Sequence, residues 1–266
     1  MGVAIALTIA GSDSSGGAGV QADLKTFSAL GVYGASVIAA LTAQNTKGVD
    51  AVFEVPPAFV RAQIDAVFSD LAVGAVKIGM LANAAVVGTV AERLLHHRGT
   101  PIVLDPVMVA TSGDRLLEPD AVEAMRTRLM PLAVVITPNL PEAAALLDAP
   151  EAASEDEMVH QAERLLALGA RAVLMKGGHG KATESVDVLV TAAATVRFVA
   201  ARIATKNTHG TGCTLAAAIA GGLAKGQDLT SAVRAAKDYV TAAIAAADRL
   251  AVGHGHGPVH HFHKWW

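Results

Sequence analysis

The sequence has few of the residues that mark secreted, membrane or nucleic-acid-binding proteins. Its 266 residues include one cysteine, Cys213, so no disulfide can form within the chain and a reducing compartment is expected. Charged residues make up 17%, the net charge is −3, and no long run carries one sign, which argues against nucleic acid as the main partner. No stretch of about 18 residues is apolar throughout, so no membrane partner is expected.

The N-terminal segment also lacks targeting signals. It has no basic region ahead of its short apolar run, and Ala6 stands where an N-myristoylation signal needs serine or threonine. Hydrophobic residues reach 52%, enough for a sizeable core, whereas aromatic residues are only 4%. These features predict a soluble, cytoplasmic protein whose alanine-rich helices pack closely.

Short apolar runs alternate with helical patterns along the whole chain. The predicted strands are Val3–Ile9, Ala35–Leu41, Ala75–Ile78, Ile102–Leu104, Val134–Thr137 and Ala172–Met175, with a hairpin of Val186–Val190 and Thr195–Val199. The predicted helices are Val20–Leu30, Ala58–Leu71, Ala84–His97, Pro119–Leu129, Glu155–Leu168, Thr214–Ala224 and Leu229–Leu250. This alternation predicts a mostly parallel sheet with helices on both faces. No linker divides the chain, so one domain over residues 1–266 is expected, with ligands at the carboxyl ends of the strands.

The first candidate site is the glycine- and serine-rich segment Gly11–Gly19, which follows the first strand. Such a segment suits a backbone that stays close to a ligand, although a flexible turn is the alternative. Residues 17–22 also match the dinucleotide pattern G-x-G-x-x-A. However, the match begins several residues after the strand, and no acidic residue for a ribose ends the second strand. A dehydrogenase is therefore disfavoured.

The second candidate site is the segment THGTGCT at 208–214, directly before a predicted helix. Gly210 and Gly212 allow successive N–H groups to point into one cavity, and the helix N-terminus adds positive potential, so an anion site is predicted. Cys213 falls in the first helical turn, where the pKa of a thiol is expected below its usual value of about 8.5. A thiolate there could accept a proton from an attacking hydroxyl. The alternative is that Cys213 is a small buried hydrophobe.

Polar residues follow several other strands. Asn139 and Glu142 can face one way on an opening helix, as in a Mg²⁺ shell, but the same spacing is also a helix capping box. Lys176, followed by two glycines, can reach nucleotide phosphates, although the P-loop pattern is absent. Asp105 and Gln44 project polar groups over the same edge of the sheet.

The C-terminal run Gly253–Trp266 holds five of the ten histidines, so a metal site has to be considered. The sequence contains neither HExxH nor a Cys/His zinc spacing. Phe262, Trp265 and Trp266 instead suggest a structural tail that docks on an apolar surface.

Together these motifs resemble the hydroxymethylpyrimidine/phosphomethylpyrimidine kinases of thiamine biosynthesis, within the ribokinase-like superfamily. The matching segments are AGSDSSGGAGVQADLKTF at 10–27, LTAQNTKGV at 41–49, KIGML at 77–81, DPVMVATSGDRLL at 105–117, TPNLPEA at 137–143, KGGH at 176–179, THGTGC at 208–213 and GHGPVHHFH at 255–263. The resemblance implies a three-layer α/β/α sandwich, the use of ATP and Mg²⁺, and a homodimer. It also implies phosphorylation of 4-amino-5-hydroxymethyl-2-methylpyrimidine and then of its monophosphate.

The resemblance further implies a role for individual residues. Gln44 would hydrogen-bond the aminopyrimidine ring. The pocket around the ring would be lined by Gly11, Ala18, Asp23, Met80 and Val107. Lys176, Asn139, Thr208 and His209 would belong to the ATP site, and Glu142 and Asp105 would organise Mg²⁺. The anion hole would be formed by Gly210, Thr211 and Gly212, with Cys213 as the base in place of the aspartate of most ribokinase-like enzymes.

One departure and two alternatives accompany this resemblance. Thr111 stands where relatives often have a lysine, which leaves the efficiency of the second phosphorylation open. A pyridoxal kinase shares the fold, but the relatives that take pyridoxal carry a second cysteine in the 105–117 loop, and Cys213 is the only cysteine here. A non-catalytic binding protein would not need Lys176, Glu142 and Cys213 together.

Overall fold

The computed structural model describes residues 2–108, 118–178 and 183–266. Within these ranges the strands are β1 Ile5–Gly11, β2 Tyr33–Gln44, β3 Val49–Glu54, β4 Ala75–Ile78, β5 Ile102–Leu104, β6 Val135–Ile136, β7 Ala172–Lys176, β8 Glu184–Thr191 and β9 Thr195–Ala201. They form a nine-stranded sheet in the order β3-β2-β1-β4-β5-β6-β7-β8-β9. Strands β2, β1, β4, β5, β6 and β7 are parallel, while β3, β8 and β9 are antiparallel to their neighbours.

Helices cover both faces of the sheet. They are α1 Gly19–Ala29, α2 Pro57–Asp70, α3 Ala84–Leu95, α4 Pro119–Ala124, α5 Leu140–Leu147, α6 Glu155–Ala167, α7 Thr211–Ala224 and α8 Leu229–Ala245. One core cluster joins the sheet to α2, α3, α5 and α6, and contains Ile64, Val90, Leu146 and Leu165. The other joins it to α1, α7 and α8 around Phe27 and Ile219. The predicted three-layer α/β/α sandwich of the ribokinase-like type is therefore confirmed.

The predicted strands and helices differ from the structure mainly at the edge of the sheet and at helix ends. Strand β3 was not predicted, because this edge strand is exposed over most of its length and, with Asp50 and Glu54, is not a continuous apolar run. Helix α7 begins at Thr211, three positions before the predicted start at Thr214, since its first turn includes Gly212. Helix α8 ends at Ala245, and a 3₁₀ turn at Ala247–Arg249 replaces the rest of its predicted length.

The order of the strands positions the site. From β1 the chain moves to β2 on one side and, after β3, to β4 on the other, so the direction of winding reverses between β1 and β4. Ligands of open α/β sheets bind beyond the carboxyl ends of the strands at such a point. Among the described residues, none of the helices is both long and apolar enough to cross a membrane.

Candidate active site

A cavity of about 650 Å³ lies beyond the carboxyl ends of the parallel strands. At one end it is lined by Gly11, Gln44 and Met80, and at the other by Val240 and Ile244 of α8. The anion loop, residues 208–213, lies between the two ends. Except for Asp23, the residues to which the sequence assigned a role all line this one cavity.

The carboxylate of Asp13 organises the first glycine loop. Its Oδ1 accepts hydrogen bonds from the amide N and the Oγ of Ser15, at 2.8 and 2.7 Å. Its Oδ2 accepts from the amide groups of Gly17 and Ala18 at 3.1 and 2.8 Å, and lies 2.8 Å from His209 Nε2. Burial alone would raise the pKa of Asp13, but His209 and the loop donors lower it to about 2. The ionised carboxylate thus joins the first glycine loop to the anion loop.

An acidic centre lies where β5, β6 and β7 end. Lys176 Nζ donates to Asp105 Oδ1 at 2.8 Å and lies 3.6 Å from Glu142 Oε2. Thr137 Oγ1 donates to the same Asp105 oxygen at 3.0 Å. Burial opposes the charge of Asp105, but the ammonium groups of Lys176 and Lys77 hold its pKa below the usual range. The other oxygen, Asp105 Oδ2, is buried and has no hydrogen-bond partner among the described residues.

Glu142 has two functions in the local structure. Its Oε2 accepts from the amide of Asn139 and the Asn139 side chain accepts from the amide of Glu142, both at 2.8 Å, so the predicted capping box is confirmed at the start of α5. Glu142 also faces Lys176 and the cavity. Burial raises the pKa of Glu142 to about 7, with Lys176 opposing the rise and Asp105 adding to it. Its charge therefore changes near neutral pH.

The anion loop leads into the N-terminus of α7 without side-chain capping, and the amide of Thr211 donates to the carbonyl of Thr208 at 3.2 Å. The first turn of a helix offers its other amide groups to an anion. Gly210 has a φ of +80°, and a Cβ placed on it would lie 1.8 Å from the carbonyl oxygen of Gly17. A Cβ on Gly212 would lie 3.3 Å from Lys176 Nζ. Only glycine at 210 permits this close approach to the first glycine loop, whereas a side chain at 212 would crowd Lys176. The arrangement suits a transferring phosphoryl group between backbone donors, a lysine and carboxylates.

Comparison with known proteins identifies the family. The model of the phosphomethylpyrimidine kinase family matches residues 13–260. The chain belongs to this family.

Individual relatives agree. A hydroxymethylpyrimidine/phosphomethylpyrimidine kinase of Rhizobium meliloti is 61% identical over 263 residues, which cover 99% of this chain and 98% of the relative. The solved phosphomethylpyrimidine kinase of Clostridium difficile is 46% identical with a TM-score of 0.80, covering 90% of this chain and 99% of that one. The pyridoxal kinase of Staphylococcus aureus, solved with AMP-PCP and pyridoxal, is 32% identical with a TM-score of 0.90, covering 98% and 94%.

The pKa of the Cys213 thiol is not lowered, contrary to the prediction from the sequence. Cys213 lies in the first turn of α7, as predicted, and lines the cavity. However, burial raises the pKa of the Cys213 thiol to about 11; Lys77 and the Gly19 amide oppose the rise, and the charges of Asp23 and Asp105 add to it. The prediction of a low pKa was wrong, since desolvation is the largest effect on this thiol.

The acceptor end of the cavity holds most of the residues expected to contact the ring. Gln44 Oε1 accepts from Thr42 Oγ1 at 3.1 Å, and its backbone pairs in both directions with Ser14 Oγ, at 2.7 and 2.8 Å. The first glycine loop thereby fixes the end of β2. The cavity wall includes Ala18, Met80 and Val107. A Cβ on Gly11 would lie 2.6 Å from Met80 Cε, so the two residues are in close contact.

Asp23 was expected to line the pocket and does not. It is fully buried behind the wall, where it accepts from Lys77 Nζ at 2.8 Å and from Thr8 Oγ1 at 2.6 Å. Lys77, equally buried, reaches the floor of the cavity from β4. Asp23 therefore neutralises a lysine beneath the site and has no surface to offer a ligand.

The C-terminal tail docks, but through other residues than predicted. Val259, His260 and His261 are buried, whereas Trp265 and Trp266 are 70% and 71% exposed. The docking contacts are polar as well as apolar: the Tyr239 hydroxyl donates to the His261 carbonyl at 2.7 Å, among others. No group of three or more His, Cys, Asp or Glu in the described part of the chain is arranged to hold a metal ion.

The sequence did not single out several residues of the site. Lys77, Asp187 and Lys237 all line the cavity, and Asp13 connects its loops. The first two had a signal: each is a charged residue inside a short apolar run, AVKI at 75–78 and VDVLV at 186–190, where an unpaired charge would be costly. Thr111 and the other residues of the 105–117 loop from 109 onward, as well as residues 179–182, lie outside the described residues.

Proposed function

We propose that the chain transfers the γ-phosphoryl group of ATP to the hydroxymethyl group of 4-amino-5-hydroxymethyl-2-methylpyrimidine, and then phosphorylates the resulting monophosphate, as a kinase of thiamine biosynthesis. The observation that carries this proposal is the continuous cavity, in which Gln44 at one end and Lys176 at the other are joined by the anion loop. The 61% identity to a hydroxymethylpyrimidine/phosphomethylpyrimidine kinase supports the choice of substrate.

At the acceptor end, Gln44 supplies an amide that can pair with the ring nitrogen and amino group of a pyrimidine. Gly11, Ala18, Met80 and Val107 provide a largely apolar wall for the ring. The hydroxymethyl arm would then reach toward Cys213. Ring recognition and phosphoryl transfer are thus carried by different elements, β1 and β2 on one side and α7 on the other.

At the donor end, the residues fit an ATP–Mg²⁺ complex. The relative that was solved with AMP-PCP supports ATP as the donor. Asp105 Oδ2 is a buried carboxylate oxygen without a partner among the described residues, and Glu142, like Asp105, lies within 4 Å of Lys176 Nζ, so these two carboxylates would hold Mg²⁺ together with phosphate oxygens. The ion would supply positive charge to the transferring phosphate. Lys176 would then contact the phosphates, and Gly210, Thr211 and Gly212 would direct amide groups at them.

The reaction needs a proton acceptor for the attacking hydroxyl. As its oxygen bonds to the γ-phosphorus and the bond to ADP breaks, the proton passes to the thiolate form of Cys213, which is the minor form near neutral pH because the pKa of the thiol is about 11. The ammonium groups of Lys77 and Lys176 both favour the thiolate. Because the transition state of phosphoryl transfer is loose, little charge develops on the attacking oxygen and a modest base suffices. Positioning by the loops is then the main contribution of the protein.

A pyridoxal kinase is the second candidate function, because a solved pyridoxal kinase shares the fold over 98% of this chain. Measuring ATP consumption with the pyrimidine alcohol, its monophosphate and pyridoxal separates the candidates. We expect turnover of both pyrimidines and a clear preference for them over pyridoxal. A preference for pyridoxal would replace the proposed substrate, and no turnover of any of the three would favour a non-catalytic binding protein.

We also propose that the chain forms a homodimer in the cytoplasm, as the family resemblance implies. The edge strand β3 and the neighbouring β2 expose Leu41, Val52 and Phe53, and Phe59 follows on α2. Exposed apolar side chains on an edge strand are suited to association with a second copy. Light scattering on the purified protein would test this, and a monomer at micromolar concentration would refute it.

A further inference from the structure

The donor end of the cavity contains a buried ion pair to which the mechanism above gives no role. Lys237, on α8, donates through Nζ to Asp187 Oδ2 at 2.7 Å and to Ser185 Oγ at 3.1 Å. Asp187 and Lys237 are both buried, and all three residues line the cavity. The pair connects helix α8 to strand β8, next to the end of β7 that carries Lys176.

The second oxygen of Asp187 holds the turn that follows Lys176. Asp187 Oδ1 accepts from the amide of Gly177 at 3.0 Å. A Cβ on Gly177 would lie 2.0 Å from the carbonyl oxygen of Val186, so the turn is pressed against β8. The carbonyl of Gly178 in turn accepts from Arg202 Nη1 at 2.6 Å. The direction in which the backbone leaves β7 is therefore set by side chains of β8 and of the segment after β9.

The energetics of the pair favour a role in positioning. Taking a carboxylate and an ammonium group out of water costs several kcal/mol per ion, and apolar residues of similar volume are often as stabilising. A structural role alone therefore does not require charges here. The charges are useful if the turn after Lys176 presents amide groups and Lys176 to an anionic ligand. Asp187 then holds the turn, and Lys237 neutralises the Asp187 carboxylate, which would otherwise repel phosphates.

We propose that Asp187 and Lys237 are positioning residues for the donor nucleotide: together they fix the turn Lys176–Gly178 against β8, so that Lys176 is aligned with the nucleotide phosphates. This inference rests on the proposed kinase function. It assigns no contact of the pair with the pyrimidine, which binds at the opposite end of the cavity near Gln44.

The test compares nucleotide binding with turnover. D187A removes the acceptor for the Gly177 amide and should weaken binding of AMP-PCP, measured by calorimetry, about tenfold, the effect of one lost hydrogen bond to a charged group. The KM for ATP should rise by the same factor, while the KM for the pyrimidine changes less than about twofold. D187N keeps an oxygen for the Gly177 amide and should recover most of the affinity. D65N, which alters an ion pair with Arg93 on α2 and α3 outside the cavity, is the matched control and should bind AMP-PCP like the wild type.

D187A leaves Lys237 without its carboxylate and can fail to fold. The double variant D187L/K237M replaces the pair with apolar residues and should stay folded by circular dichroism, yet bind AMP-PCP about tenfold more weakly. Unchanged AMP-PCP affinity in either folded variant, or equal increases in the two KM values, would overturn the inference. Calorimetry tests the positioning role separately from the proposed function. If the wild type binds AMP-PCP but does not turn over the pyrimidine alcohol, the proposed phosphoryl acceptor is refuted and the positioning role of Asp187 and Lys237 is not.

Discussion

Replacing Lys77 by methionine should destabilise the protein strongly, because it leaves the Asp23 carboxylate buried without its counterion. Both side chains are fully buried, and the only other hydrogen-bond donor to Asp23 among the described residues is Thr8. Breaking such a pair on one side typically costs about 3–5 kcal/mol. Since a folded domain is stable by about 5–15 kcal/mol, K77M should lose a large part of its stability. K77M/D23N removes both charges and should recover most of it.

The loss should also depend on pH in a defined direction. Burial raises the pKa of Asp23 even with Lys77 in place, and without the ammonium group the folded-state pKa should rise further. A carboxyl whose pKa is higher in the folded than in the unfolded state has its stability intact at low pH and loses it as the pH rises through the folded-state pKa. K77M should therefore be nearest to the wild type below about pH 4, and above the unfolded-state pKa of about 3.9 it should lose up to about 1.4 kcal/mol per pH unit until the folded-state pKa of Asp23 is reached.

Urea unfolding followed by circular dichroism at several pH values measures both effects. K77M should show a lower midpoint that falls further with rising pH, and K77M/D23N should show neither trend. A loss below about 1 kcal/mol that is independent of pH would mean that Asp23 is hydrated and not buried as described, and the reasoning would fail.

Three further predictions concern the site. C213A should lower kcat by about 10²–10⁴-fold with little change in pyrimidine affinity, because a general base acts in the transition state; unchanged kcat in stopped assays would remove Cys213 from this role. The rate of alkylation of Cys213, the only thiol, should rise about tenfold per pH unit up to at least pH 9.5 without a plateau, since its pKa is about 11. Mass spectrometry measures this rate, and a plateau near pH 8 would contradict the prediction. The Mg²⁺ concentration for half-maximal activity should rise about tenfold between pH 8 and pH 6, because Glu142, with a pKa of about 7, loses its charge there. E142Q should need more Mg²⁺ at both pH values, and an equal pH dependence in that variant would exclude Glu142 as the titrating group.

Most of the fold could be predicted because the central strands are buried on both faces. Ala75–Ile78 and Ile102–Leu104 were predicted with the bounds that the structure has, since a fully buried strand is a largely apolar run, interrupted in these two strands only by Lys77. Strand β3 is exposed over nearly its whole length, so it lacks the buried apolar run by which the central strands were predicted. Helix ends depend on packing against neighbours, which explains the early end of α8.

The residues of the site could be predicted where they follow the end of a strand, but not where they are defined by an ion pair between distant parts of the chain. Lys176, Asp105 and Gln44 come at or just after strand ends, and parallel strands place such residues at one edge of the sheet. The pairing of Lys77 with Asp23 joins residues 54 positions apart, and no local pattern indicates it. The pKa of Cys213 likewise depends on loops that approach it from distant parts of the chain.

The docked tail has a consequence for synthesis of the protein. The amide of His209 donates to the carbonyl of Gly257, and the amide of Val259 donates to the carbonyl of His209, so the loop that faces the phosphates is paired with the tail as if with a short strand. The sheet is complete once residue 201 has been made, but this pairing requires the chain to extend to at least Val259. Until residues 257–259 have been made, the loop that faces the phosphates lacks the two backbone hydrogen bonds to the tail, so the phosphate site is completed after all nine strands and after α7 and α8.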